Sequence, residues 1–223
     1  MNKLKFALVI VPRWSISIFI ILLFLSISFY SGGTLNDPNS QGYSMFRNFF
    51  SDLGILNQQN IISVILFGLA LLLCGLTFIF YFYYFMKLFS VETLNGMLGK
   101  IGAFFGILGA IFFIVVGFTP HNQIHDLHVF SVNWAFRCFF LASSFLTLSI
   151  FRDKSFDHRY AYGYFLFAVL IFFYILVLEF GPSPSDSDFA LVFNVVSQKI
   201  IVIVFIFSVL FQSIGNEKMV KNL

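Results

Sequence analysis

Charged residues are scarce in this chain: Asp, Glu, Lys and Arg make up 10% of its 223 residues, whereas a soluble domain carries about a quarter. Cysteine is rarer still. Cys74 and Cys138 each lie in an apolar segment without a CxxC partner, so we expect two buried thiols rather than a disulfide framework. The basic residues are scattered and form no cluster, which argues against a nucleic-acid partner.

Apolar residues are abundant, at 59% of the chain. They form six segments that reach or approach the roughly 20 residues needed to cross a bilayer. Lipid offers no partners for backbone polar groups, so such segments must be helices. The sequence therefore predicts an all-α membrane protein, a single domain over residues 1–223 with six transmembrane helices in a bundle. The predicted spans are 14–35, 61–86, 101–119, 127–151, 162–180 and 189–214.

The distribution of basic residues predicts the topology. With six spans, ten Lys and Arg residues fall on one side of the membrane, and Arg47 alone falls on the other. Cytoplasmic connections carry an excess of Lys and Arg. We therefore expect a multi-pass protein of the cell membrane with both termini in the cytoplasm. The ten residues are Lys3, Lys5, Arg13, Lys87, Lys100, Arg152, Lys154, Arg159, Lys218 and Lys221.

The connection after the first span contains MFRNFFSDLG, at residues 45–54, with apolar residues at helical spacing. This pattern predicts a short interfacial helix. Met45, Phe46, Phe49, Phe50 and Leu53 would lie in the headgroup plane, and Arg47, Asn48, Ser51 and Asp52 would point elsewhere.

Three histidines lie in the segment PHNQIHDLH before the fourth span. His121, His125 and His128 are spaced i, i+4 and i+7, so in a helix they would share one face, as metal ligands do. Asp126 would add an oxygen ligand or orient a histidine. General acid–base chemistry is an alternative, and a hydrated loop without metal is another. The candidate catalytic residues are Asp52, His125, Asp126 and His128.

Two cations lie about halfway along predicted spans, Arg137 in the fourth and Lys199 in the sixth. A charge at this depth costs several kcal/mol and is usually paired, turned inward and functional. Polar residues accompany both cations along their helices. We expect an outward-opening polar groove between spans four and six that binds an anionic headgroup; a structural ion pair with Glu179 is the alternative. The candidate ligand-binding residues are Arg137, Lys199, Asn133, Asn194, Gln198 and Glu179.

Three short motifs carry a family resemblance: Asn48-x-x-Ser51-Asp52-Leu53-Gly54, Thr119-Pro120 followed by His125-Asp126-x-His128, and Gln198-Lys199. Together they resemble a bacterial and archaeal six-span family catalogued only as a domain of unknown function. That family is distantly similar to the DRAM-like superfamily, whose eukaryotic members act in autophagy and in remodelling of GPI lipid anchors. The resemblance spans nearly the whole chain and implies a six-span fold and a lipid ligand.

The chain departs from that family at two positions. Members commonly carry an acidic residue soon after the proline, where this chain has Asn122. They often have Arg in the last span, where this chain has Lys199, which keeps the charge and loses the bidentate geometry of a guanidinium.

Three functions are compatible with these residues. The first is binding or remodelling of an anionic lipid headgroup, with membrane lipids as the partners. The second is a structural or accessory membrane subunit. The third is an intramembrane metal-dependent lipid hydrolase. The residues identify no cofactor and no protein partner, and no inverted repeat or midplane helix break suggests a transporter.

Overall fold

A computed structural model describes residues 2–153 and 157–221, so Lys154 of the basic set lies outside the described residues. Six long apolar helices dominate it, which confirms the predicted all-α bundle. Within the described residues the only β contact is an isolated bridge between Gly32 and Gln41. The helices are α1 (Lys3–Ser28), α2 (Ile61–Met86), α3 (Leu94–Phe118), α4 (His125–Arg152), α5 (His158–Phe180) and α6 (Asp188–Lys221).

Each helix packs on the next along the chain, and α6 also contacts α1, which closes the bundle. Because the described residues form six such helices, the beginning of α1 and the end of α6 lie at one end of the bundle, which we call the terminal end. The connections 29–60, 119–124 and 181–187 meet at the opposite end, called the loop end. Hydrogen bonds join these connections: the Asn122 amide both accepts from the Leu56 N–H, at 2.9 Å, and donates to the Leu56 carbonyl, at 3.0 Å.

The helices and the predicted spans differ most in α1, which begins at Lys3 and ends at Ser28 rather than covering 14–35. Arg13 therefore lies within the helix. Its guanidinium is bonded to Glu217, at 2.8 Å, and to the Ser213 hydroxyl, at 3.0 Å. A charge with these partners is compatible with a helical turn, so the helix continues past it. Helix α2 covers the same residues as its predicted span, and α4, α5 and α6 extend beyond theirs.

Small residues bring α3 close to both neighbouring helices. A Cβ atom added at Gly75 of α2 would lie 2.9 Å from the Ala110 carbonyl oxygen of α3. One added at Gly102 of α3 would lie 3.0 Å from the Ala142 carbonyl oxygen of α4. The glycines of α3 thus serve packing inside the bundle, as small residues do between membrane helices.

The segment 45–54 is less helical and more deeply inserted than the sequence indicates. Only Phe50–Gly54 forms a helix, of the 3-10 type. Met45 and Phe46 are exposed, whereas Asp52 and Leu53 are buried between the helices. Side chains replace the helical hydrogen bonds: the Asp52 carboxylate accepts from the Phe49 N–H at 2.9 Å. Such local bonds compete with regular helix.

Candidate functional site

A polar chamber opens to the surface at the loop end of the bundle, with a volume of about 430 Å³. Residues of α4, α5 and α6 and of the three connections at this end form its walls. A volume of this size is typical of small-molecule sites. The polar residues among those that line it are Asn36, Ser51, Asp52, His121, His125, His128, Asn133, Ser183, Ser185, Asn194 and Gln198.

A second, apolar cavity lies deeper in the bundle. It is smaller, about 70 Å³, and its walls are formed mainly by Phe, Leu, Val and Ile side chains of α1, α2, α3, α4 and α6. Ser51, Val132 and Gln198 line both this apolar cavity and the polar chamber. The two spaces are therefore neighbours, separated by one layer of side chains. A polar compartment directly above an apolar one is the arrangement that an amphiphilic ligand requires.

Helix α6 binds the segment 48–50, which lies at the boundary between the two compartments. The Gln198 side-chain oxygen accepts from the Phe50 N–H at 2.7 Å. The Lys199 ammonium donates to the Asn48 carbonyl at 2.5 Å and lies 4.9 Å from the centre of the Phe50 ring and 5.4 Å from that of Tyr43. Two adjacent residues of α6 thus fix the backbone of residues 48–50. The buried cation of the last span is occupied in this contact and does not line the chamber.

Asp52 supplies the carboxyl group of the chamber wall and is 4% exposed. Burial raises the pKa of Asp52 to about 7, against the lowering effect of hydrogen bonds from Phe49 and Asn48 and of the Lys199 charge. Near pH 7 this carboxyl is therefore divided between its protonated and ionised forms.

The three histidines meet as a stack. The His121 ring lies 4.6 Å from that of His125 and 4.8 Å from that of His128, with interplanar angles of 11° and 21°. Burial, followed by the neighbouring His128 and His125, lowers the pKa of His121 to about 4. His121 is therefore neutral at pH 7. Both of its ring nitrogens are buried without a hydrogen-bond partner among the described residues, although buried polar groups are normally paired.

The backbone fixes the tautomer of His128. Its Nδ1 lies 2.7 Å from the Thr119 carbonyl oxygen, which can only accept, so Nδ1 carries the hydrogen and Nε2 carries the lone pair. Parallel stacking does not aim the three rings at one point, as a tetrahedral metal site needs. Among the described residues, no group of three His, Cys, Asp or Glu side chains has an arrangement that fits a metal ion.

Arg137 does not line the chamber; its guanidinium pairs with the Glu179 carboxylate. Both side chains are about one-third exposed, at 34% and 36%, and the Arg137 guanidinium also lies 5.5 Å from the centre of the Trp134 ring. Glu179 is the penultimate residue of α5, at the loop end. Arg137 thus reaches from the middle of α4 toward that end, as long basic side chains do in membranes.

The remaining polar candidates divide between the chamber and the surface. Asn133 and Asn194 line the chamber, and the Asn194 amide group donates to the Pro182 and Ala190 carbonyls, at 2.8 and 2.9 Å. Asp126 is exposed and does not line it.

Sequence reasoning did not assign some of the chamber residues. Tyr174 of α5 and the connection 182–185 line the chamber. The signal available for the connection was its position, since it follows a span that ends on the same side as His121 and Asp52. No periodicity distinguished Tyr174 from the other aromatic residues of its helix.

Comparison with curated proteins and with solved structures finds no match. The similarity to the DRAM-like superfamily therefore stays a prediction. Residues 19–210 match the family described as "Protein of unknown function (DUF998)". That match covers the predicted motifs, all of α2 to α5 and parts of α1 and α6, so the chain is a multi-pass membrane protein that belongs to this family.

Proposed function

We propose that this protein binds a membrane lipid at the loop end, with the polar headgroup in the chamber and the beginning of an acyl chain in the apolar cavity. The observation that carries this proposal is the boundary formed by Ser51, Val132 and Gln198, which line both compartments. Polar groups converge above this boundary and hydrocarbon walls lie below it. Burying an acyl segment there removes apolar surface from water, which is the main favourable contribution to such binding.

The volumes limit how much of the lipid is enclosed. The apolar cavity of about 70 Å³ is well below the roughly 300–1,000 Å³ of pockets that enclose a whole small molecule. It accommodates a short piece of chain unless the surrounding side chains move. The rest of a long chain would lie against the bundle or in the surrounding lipid. The positive-inside pattern predicts that the headgroup enters from the outer leaflet.

The headgroup contacts in this proposal come from the chamber wall rather than from the two mid-span cations. Arg137 is paired with Glu179, and Lys199 with the Asn48 carbonyl. Asn133, Asn194 and Gln198 keep the ligand-binding role that the sequence suggested. His121, which the sequence suggested as a metal ligand, and Asp52, which it suggested as a catalytic residue, contact the headgroup with them in this proposal.

Substitutions at Val132 test the proposal because this side chain lies between the compartments. Full-length protein in detergent would be incubated with three single-chain oleoyl lipids, a monoacylglycerol, a lysophosphatidate and a lysophosphatidylcholine, and analysed by native mass spectrometry. Val132→Phe should block the boundary and reduce the retained lipid at least about tenfold, the effect of losing about 1.4 kcal/mol of binding energy. Val132→Ala should widen the boundary and increase retention.

Leu148→Phe is the matched control, since Leu148 lies on the same helix and is 50% exposed. It should leave retention unchanged. If the wild type retains none of the three lipids, or if both Val132 variants fold and behave like the wild type, the proposal is wrong and a structural or accessory role is favoured.

A further inference from the structure

We infer that the chamber takes an uncharged, hydroxyl-bearing headgroup, of the monoacylglycerol class, in preference to a phosphate headgroup. This inference rests on the proposed function and specifies its ligand. It is supported by the hydrogen-bonding groups of the chamber wall and by the absence of Lys and Arg from that wall within the described residues.

The charges of the chamber wall disfavour a phosphate. Within the described residues, no Lys or Arg lines the chamber. The nearest buried cation, Lys199, is directed to the Asn48 carbonyl behind the segment 48–52. Asp52 does line the chamber, and its ionised form would repel a phosphate. Phosphate sites in proteins usually supply Arg, Lys or a set of backbone N–H groups.

His121 offers a hydroxyl group both a hydrogen-bond donor and a hydrogen-bond acceptor. As a neutral imidazole it carries one N–H donor and one lone pair, and neither nitrogen has a partner among the described residues. A hydroxyl both donates and accepts, so two neighbouring hydroxyls pair with both nitrogens. An ionised phosphate only accepts, which would leave the lone pair of His121 buried and unpaired. Leaving a buried polar group unpaired carries the full cost of its desolvation.

Two of the chamber amides, those of Gln198 and Asn194, offer the same combination. The Phe50 N–H requires the Gln198 side-chain oxygen as its acceptor, so the Gln198 amide hydrogens remain to donate. The Pro182 and Ala190 carbonyls require the Asn194 nitrogen as their donor, so the Asn194 oxygen remains to accept. Their partners thus fix the orientation of both amides. One unused donor and one unused acceptor again match hydroxyl groups rather than phosphate oxygens.

A competition experiment tests the preference. Full-length protein would be incubated with equal concentrations of 1-oleoylglycerol, oleoyl lysophosphatidate and oleoyl lysophosphatidylcholine, and the retained lipids quantified by native mass spectrometry. We expect the glycerol lipid to be retained at least about tenfold more than either phosphate lipid. In each phosphate lipid one of the two free hydroxyls is replaced by a phosphate, which when fully ionised cannot donate to a buried lone pair. His121→Phe keeps a ring against His125 and His128 but removes both nitrogens, and should abolish the preference.

Gln123→Leu is the control, since Gln123 is exposed two residues away and does not line the chamber; it should keep the preference. Equal or stronger retention of lysophosphatidate by the wild type overturns the inference and leaves lipid binding itself intact. Retention of none of the three lipids overturns the proposed function as well. An undiminished preference in folded His121→Phe also contradicts the inference. The wild-type competition decides the outcome even if that variant does not fold.

Discussion

Replacing Asp52 with Asn should stabilise the protein by an amount that grows with pH. Asp52 is 4% exposed, and burial raises its pKa from 3.8 to about 7. Between these pH values the folded protein holds the proton, whereas the unfolded chain has released it. The raised pKa therefore contributes stability that is fully present below pH 4 and is lost as the pH rises through 7. An Asn side chain resembles the protonated acid at every pH and can still accept from the Phe49 N–H.

The magnitude follows from the pKa shift. A shift of about three units at 1.36 kcal/mol per unit corresponds to about 4 kcal/mol. Relative to Asp52→Asn, the wild type is then less stable by about 2 kcal/mol at pH 5 and by about 4 kcal/mol at pH 8. In a protein of this size 1 kcal/mol corresponds to about 2–4 °C in Tm. The Tm gain of the variant should therefore be larger at pH 8 than at pH 5 by about 4–8 °C.

Thermal unfolding of purified protein in one detergent, followed by intrinsic fluorescence at several pH values, would measure this difference. Asp126→Asn is the control, because it makes the same chemical change at an exposed position of the loop end, where substitutions alter stability by about 0.5 kcal/mol or less. A Tm gain that does not depend on pH would show that folding does not shift the pKa of Asp52. A loss of Tm at pH 8 would show that the folded state favours the carboxylate, with Lys199 as its stabilising partner. Either result would refute the argument from burial.

Three further predictions concern topology, charge and packing. If both termini are cytoplasmic, Ser40→Cys and Asp186→Cys should react with an impermeant maleimide in intact cells. Protection of both cysteines until lysis would show that the predicted orientation is wrong. Arg137→Met should lower the free energy of unfolding by about 1–3 kcal/mol, since its ion pair with Glu179 is partly exposed. Adding Glu179→Gln should restore the Tm. No recovery would show that the unpaired Glu179 carboxylate does not cause the loss of stability. Gly75→Leu should cost about 1–3 kcal/mol, because its Cβ would lie 2.9 Å from a backbone oxygen; an unchanged Tm would contradict the close approach of α2 and α3.

The fold could be predicted from the sequence because it depends mainly on long apolar segments, which can be read directly from the order of residues. Each span is a continuous apolar run, and a bilayer permits only helices for such runs. The predicted end of a helix differs from the observed one where a charged residue has a partner elsewhere in the fold. Arg13 looked like a flanking residue, yet Glu217 and Ser213 satisfy it within the helix. These partners lie some 200 positions away in the sequence, and no local pattern identifies them.

The segment 45–54 shows a second limit. Its apolar spacing fits an amphipathic helix, but Asp52 caps the Phe49 N–H and Gln198 accepts from the Phe50 N–H. These bonds hold the backbone in a shorter 3-10 turn and bury the carboxyl group. Helical periodicity describes which residues are apolar, whereas the conformation here depends on side-chain acceptors, one of them from α6.

Depth along a span proved an incomplete guide to the two cations. Arg137 and Lys199 were grouped because both lie near mid-span, but a long side chain can carry its charge several ångströms along the helix. Arg137 reaches toward Glu179 at the loop end, about one-third exposed, while Lys199 is 8% exposed and bonds to a backbone carbonyl inside the bundle. The direction of each side chain depends on whether a partner lies along the helix surface or within the bundle. The sequence supplies the charge and its depth, and only the packing of α4 against α5, and of α6 against the segment 48–52, decides which partner it meets.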